Sequence, residues 1–299
     1  MQGLCLLGPT LDGDQGLSAA VTAGRRRLRL SGLLAAPLGW LGVVYIGSLV
    51  VLFIAAFWKL DDFTGQVVHQ YGFQNFETLW NEPVYREIVL RTVGVATAVT
   101  IADALLAFPI AFYMAKVARP RVKSLLVVAV LLPLWASYLV KVYSWRTILN
   151  ENGILNWALH PLGLKGPGFG IVAAWIVFTY LWLPFMILPI YAGFERIPNS
   201  LLDASADLGA SPWRTFRSVI FPSVLPSVVA GSIFTFSLTL GDYITPSLVT
   251  KQQFIGNVVY SNVGVANNLP LAAAFALVPV IVMVVYLMIA RRMGAFEHF

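Results

Sequence analysis

The sequence predicts an all-α polytopic membrane protein with about six transmembrane helices, and three observations support this fold class. Of the 299 residues, 58% are hydrophobic and only 11% are charged, whereas an average soluble domain is about 25% charged. The mean hydropathy is +0.77. Six long apolar stretches alternate with polar segments that carry most of the charged residues. These features exclude an ordinary soluble fold, and one bundle of membrane spans accounts for the length.

The first span follows an N-terminal segment that covers residues 1–32. This segment shows no clear periodicity, and we expect it to be disordered and cytoplasmic. The basic cluster Arg25-Arg26-Arg27-Leu28-Arg29 precedes the first apolar stretch, about Leu33–Trp58. Because that stretch is too long for the apolar core of a signal peptide, it reads as a transmembrane helix. Residues 33–299 are therefore expected to form one transmembrane domain.

Five further spans are predicted along the chain. They cover about Ile88–Val117, Leu125–Val142, Ile171–Phe194, Val224–Val249 and Leu271–Ala290. Several contain proline inside the apolar stretch, for example Pro133 and Pro226. Such prolines kink helices and suit a bundle that opens and closes, although proline is also simply commoner in membrane helices than in soluble ones.

The distribution of Lys and Arg predicts which side of the membrane each loop faces. About 13 of the 20 basic residues lie in the N-terminal segment, the loop between the second and third spans, residues 195–222 and the C-terminus. The opposite loops hold about 7. The positive-inside rule therefore places both termini and residues 195–222 in the cytoplasm. Because the basic residues lie at span ends, the net charge of +6 does not indicate nucleic-acid binding.

The most informative stretch is the polar segment Glu195–Pro222, which lies between the fourth and fifth spans and is called the elbow below. A proline followed by two capping residues marks a helix start, with Asn199 or Ser200 as the N-cap. Residues 200–208 favour a short helix, and Asp203 and Asp207 share one of its faces because they are four positions apart.

The second half of the elbow carries the signals of a turn and of another helix. Gly209 suits the position just past the end of the short helix. Ser211 and Pro212 then open a second helical segment, with Pro212 as its first residue. A helix–Gly–helix segment of this polarity does not lie in lipid, so we expect the elbow to contact a partner.

Part of the elbow matches a known pattern at fixed spacing. The matching residues are Asp203-Ala204-Ser205, Gly209, Val219 and Phe221-Pro222. The chain thereby resembles the permease subunits of binding-protein-dependent ATP-binding-cassette (ABC) importers, whose cytoplasmic loop reads Glu-Ala-Ala, three residues, Gly, nine residues, Ile, one residue, Leu-Pro. The departures are Asp for Glu, Ser for the second Ala, Val for Ile and Phe for Leu. The run Leu240–Val249 also resembles the spermidine/putrescine branch of that family.

The resemblance implies a type I ABC importer permease fold, a location in the cytoplasmic (inner) membrane and a set of partners. These are ABC ATPase subunits, a second homologous permease subunit that usually forms a heterodimer, and an extracytoplasmic solute-binding protein. No lysine of this chain stands in a Gly-Lys-Ser/Thr motif, so we do not expect it to bind ATP itself. Hydrolysis is expected on the partner ATPase, and no cofactor is expected on this chain.

The resemblance also implies how the elbow works. Its short helix would dock on the ATPase, with Ala204, Ser205 and Gly209 allowing close approach. Asp203 and Asp207 would meet basic or amide donors. Closure of the ATPase on ATP would move the docked elbow as a rigid body and switch the spans between inward-facing and outward-facing states. The alternative is an ordinary solvated loop with two helical turns.

Two acidic residues, Asp103 and Asp242, lie most clearly inside apolar spans. A charged carboxylate at mid-membrane costs roughly 2.5–3.5 kcal/mol, so such residues usually face a pathway or a partner. Carboxylates beside aromatic rings, as where Tyr243 follows Asp242, suit a polyamine through charge pairing and cation–π contacts. Aromatic residues that could line the pathway are Trp135, Tyr138 and Trp182. The alternatives are an interhelical hydrogen bond for the acids and bundle core or interface belt for the aromatic residues.

Other functions remain open at this point. The solute could instead be iron(III), an opine or an anion, although the lack of Lys or Arg at span midpoints weakly favours a cationic or neutral solute. An ion-coupled secondary transporter would need no elbow and would usually have more spans. An enzyme would need a polar catalytic cluster, which the sequence does not show. The histidines, His69, His160 and His298, lack metal-ligand spacing. The acids of the outer loops, which are candidates to face a binding protein, are Asp61, Asp62, Glu77, Glu82 and Glu151.

Overall fold

The computed structural model describes residue 32, residues 34–61 and residues 63–292. The expectations for residues 1–31, for Asp62 and for His298 concern positions outside this range. The chain divides at residue 54 into two units, each of which is described by itself. The described part of the first unit is dominated by helix α1 (Leu34–Ala55), which has a mean hydropathy of 2.3 over its apolar window. It is long and apolar enough to cross a bilayer.

The second unit contains a short hairpin, the remaining helices and the elbow. In chain order its elements are β1 (Lys59–Leu60), β2 (Val67–Val68), α2 (Gln74–Asn81), α3 (Pro83–Val117), α4 (Pro120–Trp135), α5 (Tyr138–Leu149), α6 (Ile154–Leu159), α7 (Ile171–Glu195), α8 (Asn199–Asp207), α9 (Pro212–Gly241), α10 (Ile244–Val249), α11 (Ile255–Gly264) and α12 (Leu269–Arg292). Two of the long helices contain a π-helical turn near the elbow. These turns are Tyr113–Val117 in α3 and Phe216–Ile220 in α9.

The prediction of an all-α polytopic membrane fold is confirmed. Among the described residues, five helices (α1, α3, α7, α9 and α12) are long and apolar enough to span a membrane, and α4 with α5 passes the same test as a bent pair. The bounds of the fifth span differ from those predicted. It begins inside the elbow at Pro212 and ends at Gly241, and the residues up to Val249 form the separate helix α10.

The third span, predicted over residues 125–142, consists of the two helices α4 and α5. The axes of α4 and α5 differ by 92°, because Ala136 and Ser137 between them adopt extended backbone angles. The Nζ atom of Lys141 donates a hydrogen bond of 3.1 Å to the carbonyl oxygen of Pro133. This bond satisfies one of the carbonyl groups that the last turn of α4 leaves unpaired. Because it joins α5 to α4, it also stabilises the bend between them.

The core of the second unit lies where α3, α7 and α9 pack together. One group of buried side chains includes Val99 and Phe178, and a second group, nearer the elbow, includes Ala111 and Ile190. The helices approach closely where residues are small. A Cβ atom at Gly231 of α9 would lie 2.8 Å from the Sδ atom of Met186 and 3.2 Å from its Cα atom, so only glycine fits there without a shift.

Candidate functional sites

The helix of the elbow, α8, ends in a complete Schellman motif. Gly209 adopts a positive φ of 73°. The backbone N–H of Gly209 donates to the carbonyl of Ala206 (2.8 Å), and that of Ala210 donates to the carbonyl of Ser205 (3.1 Å). This pair of bonds satisfies carbonyl groups that the helix end leaves free, and it requires the left-handed conformation that glycine tolerates best. Gly209 therefore ends the helix as the sequence predicts.

The start of α8 differs from the prediction. The helix begins at Asn199, its N-cap position is held by Pro198, and there is no side-chain cap hydrogen bond. The prediction of Asn199 or Ser200 as the N-cap is therefore wrong. The Asn199 side chain is engaged elsewhere, since its Oδ1 atom accepts a hydrogen bond of 3.3 Å from the Nζ atom of Lys116.

The second helix of the elbow starts as predicted and is tied back to the first. Pro212 is the first residue of α9, and the Ser211 hydroxyl accepts a hydrogen bond of 3.4 Å from the N–H of Arg214. The hydroxyl oxygens of Ser205 in α8 and Thr215 in α9 lie 2.8 Å apart and share a hydrogen bond. Because this contact bridges the turn at Gly209, the two helices form one folded element. The sequence alone did not identify Thr215.

The elbow presents polar and apolar side chains to its surroundings. Asp203, Ala204, Asp207 and Gly209 are exposed, and Ser205 is half-buried. Large apolar side chains are exposed beside them, with Leu208 at 87% and Trp213 at 68%. The last part of the matching pattern lies in α9, where Val219 is half-buried and Phe221 and Pro222 are exposed. Exposed leucine and tryptophan next to acidic residues are typical of a surface that a partner covers.

An aromatic cluster supports the elbow from the side of the spans. Phe108 lies with its ring centroid 5.1 Å from that of Phe194 and 5.7 Å from that of Phe216. The ring of Trp213 stacks on that of Phe216 at 5.4 Å. Beside this cluster is an apolar cavity of about 530 Å³, lined by residues of α3, α8 and α9. The elbow thus packs against α3 and α7 and continues directly into α9.

At the other end of α9, the Asp242 carboxylate is fully hydrogen-bonded. Its Oδ1 atom accepts from the backbone N–H groups of Ile244 (2.8 Å) and Thr245 (3.2 Å). Its Oδ2 atom accepts from the hydroxyl groups of Thr245 (2.8 Å) and Tyr138. Asp242 therefore stabilises the start of α10 and connects it to α5. Thr245, which is completely buried, was not identified from the sequence.

The aromatic residues predicted for the pathway divide into two groups around Asp242. The Tyr138 ring stacks on that of Trp182, with the centroids 6.0 Å apart, so Asp242, Tyr138 and Trp182 lie together. Tyr243 belongs to a different contact, since its ring stacks on that of Tyr260 at 4.7 Å. Both of these tyrosines line an apolar cavity of about 380 Å³ between α9, α11 and α12.

The structure does not bring Asp103 and Trp135 into the Asp242 cluster. Asp103 is completely buried in α3, and neither carboxylate oxygen has a hydrogen-bond partner among the described residues. Trp135 ends α4 with its side chain 85% exposed. That these two residues contact the solute stays a prediction.

Two acids of the predicted outer loops, Asp61 and Glu151, have different surroundings. The N–H of Phe63 and the hydroxyl of Thr64 each donate a hydrogen bond of 2.9 Å to Asp61. These hydrogen bonds, chiefly the one from Phe63, lower the pKa of the Asp61 carboxyl, because they stabilise its charged form. The Asp61 carboxylate therefore stabilises the turn in which it lies. Glu151 lines an open cavity of about 780 Å³ with Asn156, Trp157 and other residues of its loop.

Comparison with protein families identifies the chain. A family model described as "Binding-protein-dependent transport system inner membrane component" matches residues 90–295, well over half of the sequence and including the whole elbow. The chain belongs to this family. It is therefore the permease subunit of an ABC importer, a transport subunit and not an enzyme.

Curated relatives of this permease extend the match over most of its length. It is 48% identical over 281 residues to the inner membrane ABC transporter permease protein YdcU of Escherichia coli (strain K12). The aligned region covers 89% of this chain and 90% of YdcU. It is also 32% identical over 225 residues to the spermidine/putrescine transport system permease protein PotB of Haemophilus influenzae. This aligned region covers 73% of this chain and 78% of PotB.

A solved structure confirms the fold of the permease. A chain of the bacterial alginate ABC transporter, crystallised in complex with an alginate pentasaccharide-bound periplasmic protein, superposes with a TM-score of 0.70. The match covers 90% of this chain and 95% of that chain at 16% sequence identity. At this identity the similarity concerns the fold alone, and it confirms that the permease has the type I importer architecture.

Proposed function

We propose that this permease moves a polyamine such as spermidine or putrescine across the cytoplasmic membrane, driven by ATP hydrolysis on a separate subunit. The observation that carries the proposal is the elbow. It is a helix–turn–helix with exposed acidic and apolar side chains, closed by Gly209 and by the Ser205–Thr215 hydrogen bond. It contacts α3 and α7 and continues into α9. When a partner moves such an element, the spans joined to it move as well, because no flexible loop lies between them.

The proposal places the elbow and both termini in the cytoplasm, as the positive-inside rule predicts. The arrangement of the helices supports this orientation. The basic connection between α3 and α4, which contains Lys116 and Lys123, lies beside the elbow. Two of the basic segments assigned to one side of the membrane, the α3–α4 connection and the elbow, are therefore in contact.

The docking surface on the elbow comprises the exposed face of α8 and the residues just after it. Asp203 and Asp207 are placed to meet basic or amide groups of an ATPase. Leu208, which is 87% exposed, offers the apolar contact that such a surface needs at its centre. The chain itself is expected to bind no nucleotide and no other cofactor, and this stays a prediction.

The case for a polyamine comes from two sources. PotB, a spermidine/putrescine permease by name, is 32% identical to this chain. The chain also places carboxylate and aromatic groups at the end of α9, where Asp242, Tyr138 and Trp182 lie together and the stacked rings of Tyr243 and Tyr260 border a cavity. Aromatic rings and carboxylates are the groups that bind flexible polycations.

The permease is proposed to work with a second homologous permease subunit, two ATPase subunits and an extracytoplasmic binding protein. The family description supports the last of these partners, because it names a binding-protein-dependent system. The similar alginate transporter was crystallised with its periplasmic protein. The loop that follows α5, with Glu151 and Trp157 around an open cavity, is a candidate surface for the binding protein.

Two measurements test this function. The tagged permease is purified from native membranes, and we expect an ATPase subunit and a second permease to accompany it. The complex is then reconstituted with its binding protein, and ATP-dependent uptake of labelled putrescine and spermidine is compared with that of a sugar and an amino acid. Uptake by the permease without an ATPase would contradict the proposed mechanism. Binding of only non-cationic solutes by the binding protein would contradict the proposed solute class.

A further inference from the structure

The base of the elbow is held by a lysine at the end of α3. Lys116 lies in the π-helical turn that ends this span. Its Nζ atom donates a hydrogen bond of 2.6 Å to the carbonyl oxygen of Ile197 and one of 3.3 Å to Oδ1 of Asn199. Ile197 is only 5% exposed, and Asn199 is the first residue of α8. Lys116 therefore joins the end of α3 to the start of the elbow helix.

A second lysine joins α4 to the end of α7. Lys123 lies in the first turn of α4, and its Nζ atom is 2.7 Å from Oε2 of Glu195, the last residue of α7. The same ammonium group lies 5.6 Å from the centroid of the Tyr191 ring. The ion pair and the cation–π contact act on one group, so they favour a single position for the Lys123 side chain.

The connection between α3 and α4 carries four basic residues, and of these only the two lysines form hydrogen bonds with the described elbow through their side chains. Arg119 and Arg121 lie between the two lysines and are exposed. Neither arginine side chain forms a hydrogen bond or ion pair with another described residue. Lys116 and Lys123 instead reach partners 81 and 72 positions away. Positive charge near the membrane surface accounts for the arginines, but it does not account for two lysines that bind consecutive parts of the elbow.

We propose that Lys116 and Lys123 form a clamp that transmits movement of the elbow to α3 and α4. The inference rests on the proposed function, in which an ATPase moves the elbow. Chain continuity passes such movement to α7 and α9, and the Ser205–Thr215 bond fixes the far end of α8 to α9. The clamp adds a polar link to α3, which the elbow already contacts through the rings of Phe108 and Phe216, and a link to α4. Both lysines are positioning residues, since they act through the elbow and contact no solute.

If the clamp transmits movement, its loss should raise the number of ATP molecules hydrolysed per solute molecule taken up. Lys116→Met and Lys123→Met keep the length of the side chain and remove its charge, while Arg119→Met and Arg121→Met are matched controls. In the reconstituted complex, we expect the number of ATP molecules hydrolysed per putrescine taken up to rise about fivefold for each lysine variant, a change typical of a lost coupling between sites. The controls keep the original ratio, and Lys116→Arg restores most of it. Equal ratios for Lys116→Met and Arg119→Met in assembled complexes would overturn the proposal.

A distance measurement tests the clamp independently of the solute. Spin labels are placed at Ser200→Cys in α8 and Arg121→Cys in the first turn of α4, with Cys5→Ser removing the native thiol. With both lysines present, the clamp predicts the same distance distribution with and without ATP. A shift on ATP binding would overturn it, even if Lys116→Met fails to assemble. If the purified complex contains no ATPase, the proposed function itself fails, and this is seen before any clamp variant is compared.

Discussion

The hydroxyl group of Tyr138 donates a hydrogen bond to Oδ2 of Asp242, although the two residues lie 104 positions apart. Tyr138 begins α5, and Asp242 directly follows α9, so the bond joins the bent third span to the end of the fifth. The Thr245 hydroxyl oxygen completes the arrangement, at 2.7 Å from that of Tyr138 and 2.8 Å from Oδ2. These hydrogen bonds thus join the bent third span, the Asp242 carboxylate and helix α10 into one unit.

Tyr138→Phe tests this unit. The substitution removes the hydroxyl donor and keeps the ring that stacks on Trp182, so we expect the assembled complex to lose about 1–2 kcal/mol of stability. The measurement is the apparent melting temperature of the purified complex. Tyr143→Phe on the same helix is the matched control, because its side chain is exposed and no hydrogen bond of its hydroxyl is found among the described residues. Equal melting temperatures for the two variants would show that the bond contributes nothing.

Gly209→Ala tests the turn of the elbow. The space around Gly209 is open, with no atom within 4 Å of an added Cβ, so the whole effect comes from the positive φ. We expect a cost of about 1–2 kcal/mol, because a side chain disfavours the left-handed conformation. The amides of residues 209 and 210 should then exchange faster with deuterium.

Two further glycine variants make this test specific. Gly209→Asn should be milder than Gly209→Ala, since asparagine tolerates positive φ better than alanine does. Gly264→Ala is the control, as Gly264 also has open space around it but lies at a helical position without positive φ. If Gly209→Ala and Gly264→Ala behave alike, the turn is not under the constraint described above.

Gly231→Ala tests the close packing of α7 and α9. The new methyl group would lie 2.8 Å from Sδ and 3.2 Å from Cα of Met186. The sulfur can move, but the backbone atom cannot move without separating the helices, so we expect a loss of about 1–3 kcal/mol. Thermal stability of the complex measures this, with Gly94→Ala in α3 as the control because nothing lies within 4 Å there. A neutral Gly231→Ala would mean that the two helices are less tightly packed.

Asp103→Leu tests whether the buried carboxyl group stabilises the bundle. Because Asp103 is completely buried and has no hydrogen-bond partner among the described residues, replacing it by leucine should raise stability by about 1–3 kcal/mol. Asp103→Asn keeps the size and polarity and should change stability less. A strong loss of stability in Asp103→Leu would reveal a partner for the carboxyl group in the assembled complex.

The elbow could be predicted from sequence because its signals are local. Gly209 and Pro212 impose backbone angles on their own positions, and neither depends on a distant part of the chain. The start of α8 was predicted less well. A side-chain N-cap is also a local signal, but Asn199 forms its hydrogen bond with Lys116 instead, and a contact between residues so far apart in sequence leaves no local pattern.

The bend of the third span and the role of Asp242 could not be predicted for a related reason. The apolar composition continues from α4 into α5 across Ala136 and Ser137, so hydropathy does not show that the direction of the chain changes by 92°. Asp242 was identified as an unusual residue from its charge in an apolar setting. Its bond to Tyr138 depends on how α5 and α10 pack, which the sequence pattern does not contain.

The most direct test of the central claim is site-specific photo-crosslinking from the elbow in intact cells. A photoreactive amino acid at Leu208, the most exposed leucine of the elbow, should form a covalent adduct with the ATPase subunit. The same group at Val265, which is 76% exposed on the loop between α11 and α12, should form none. Crosslinking of position 208 to the extracytoplasmic binding protein, or failure to reach the ATPase in an assembled and active transporter, would contradict the account.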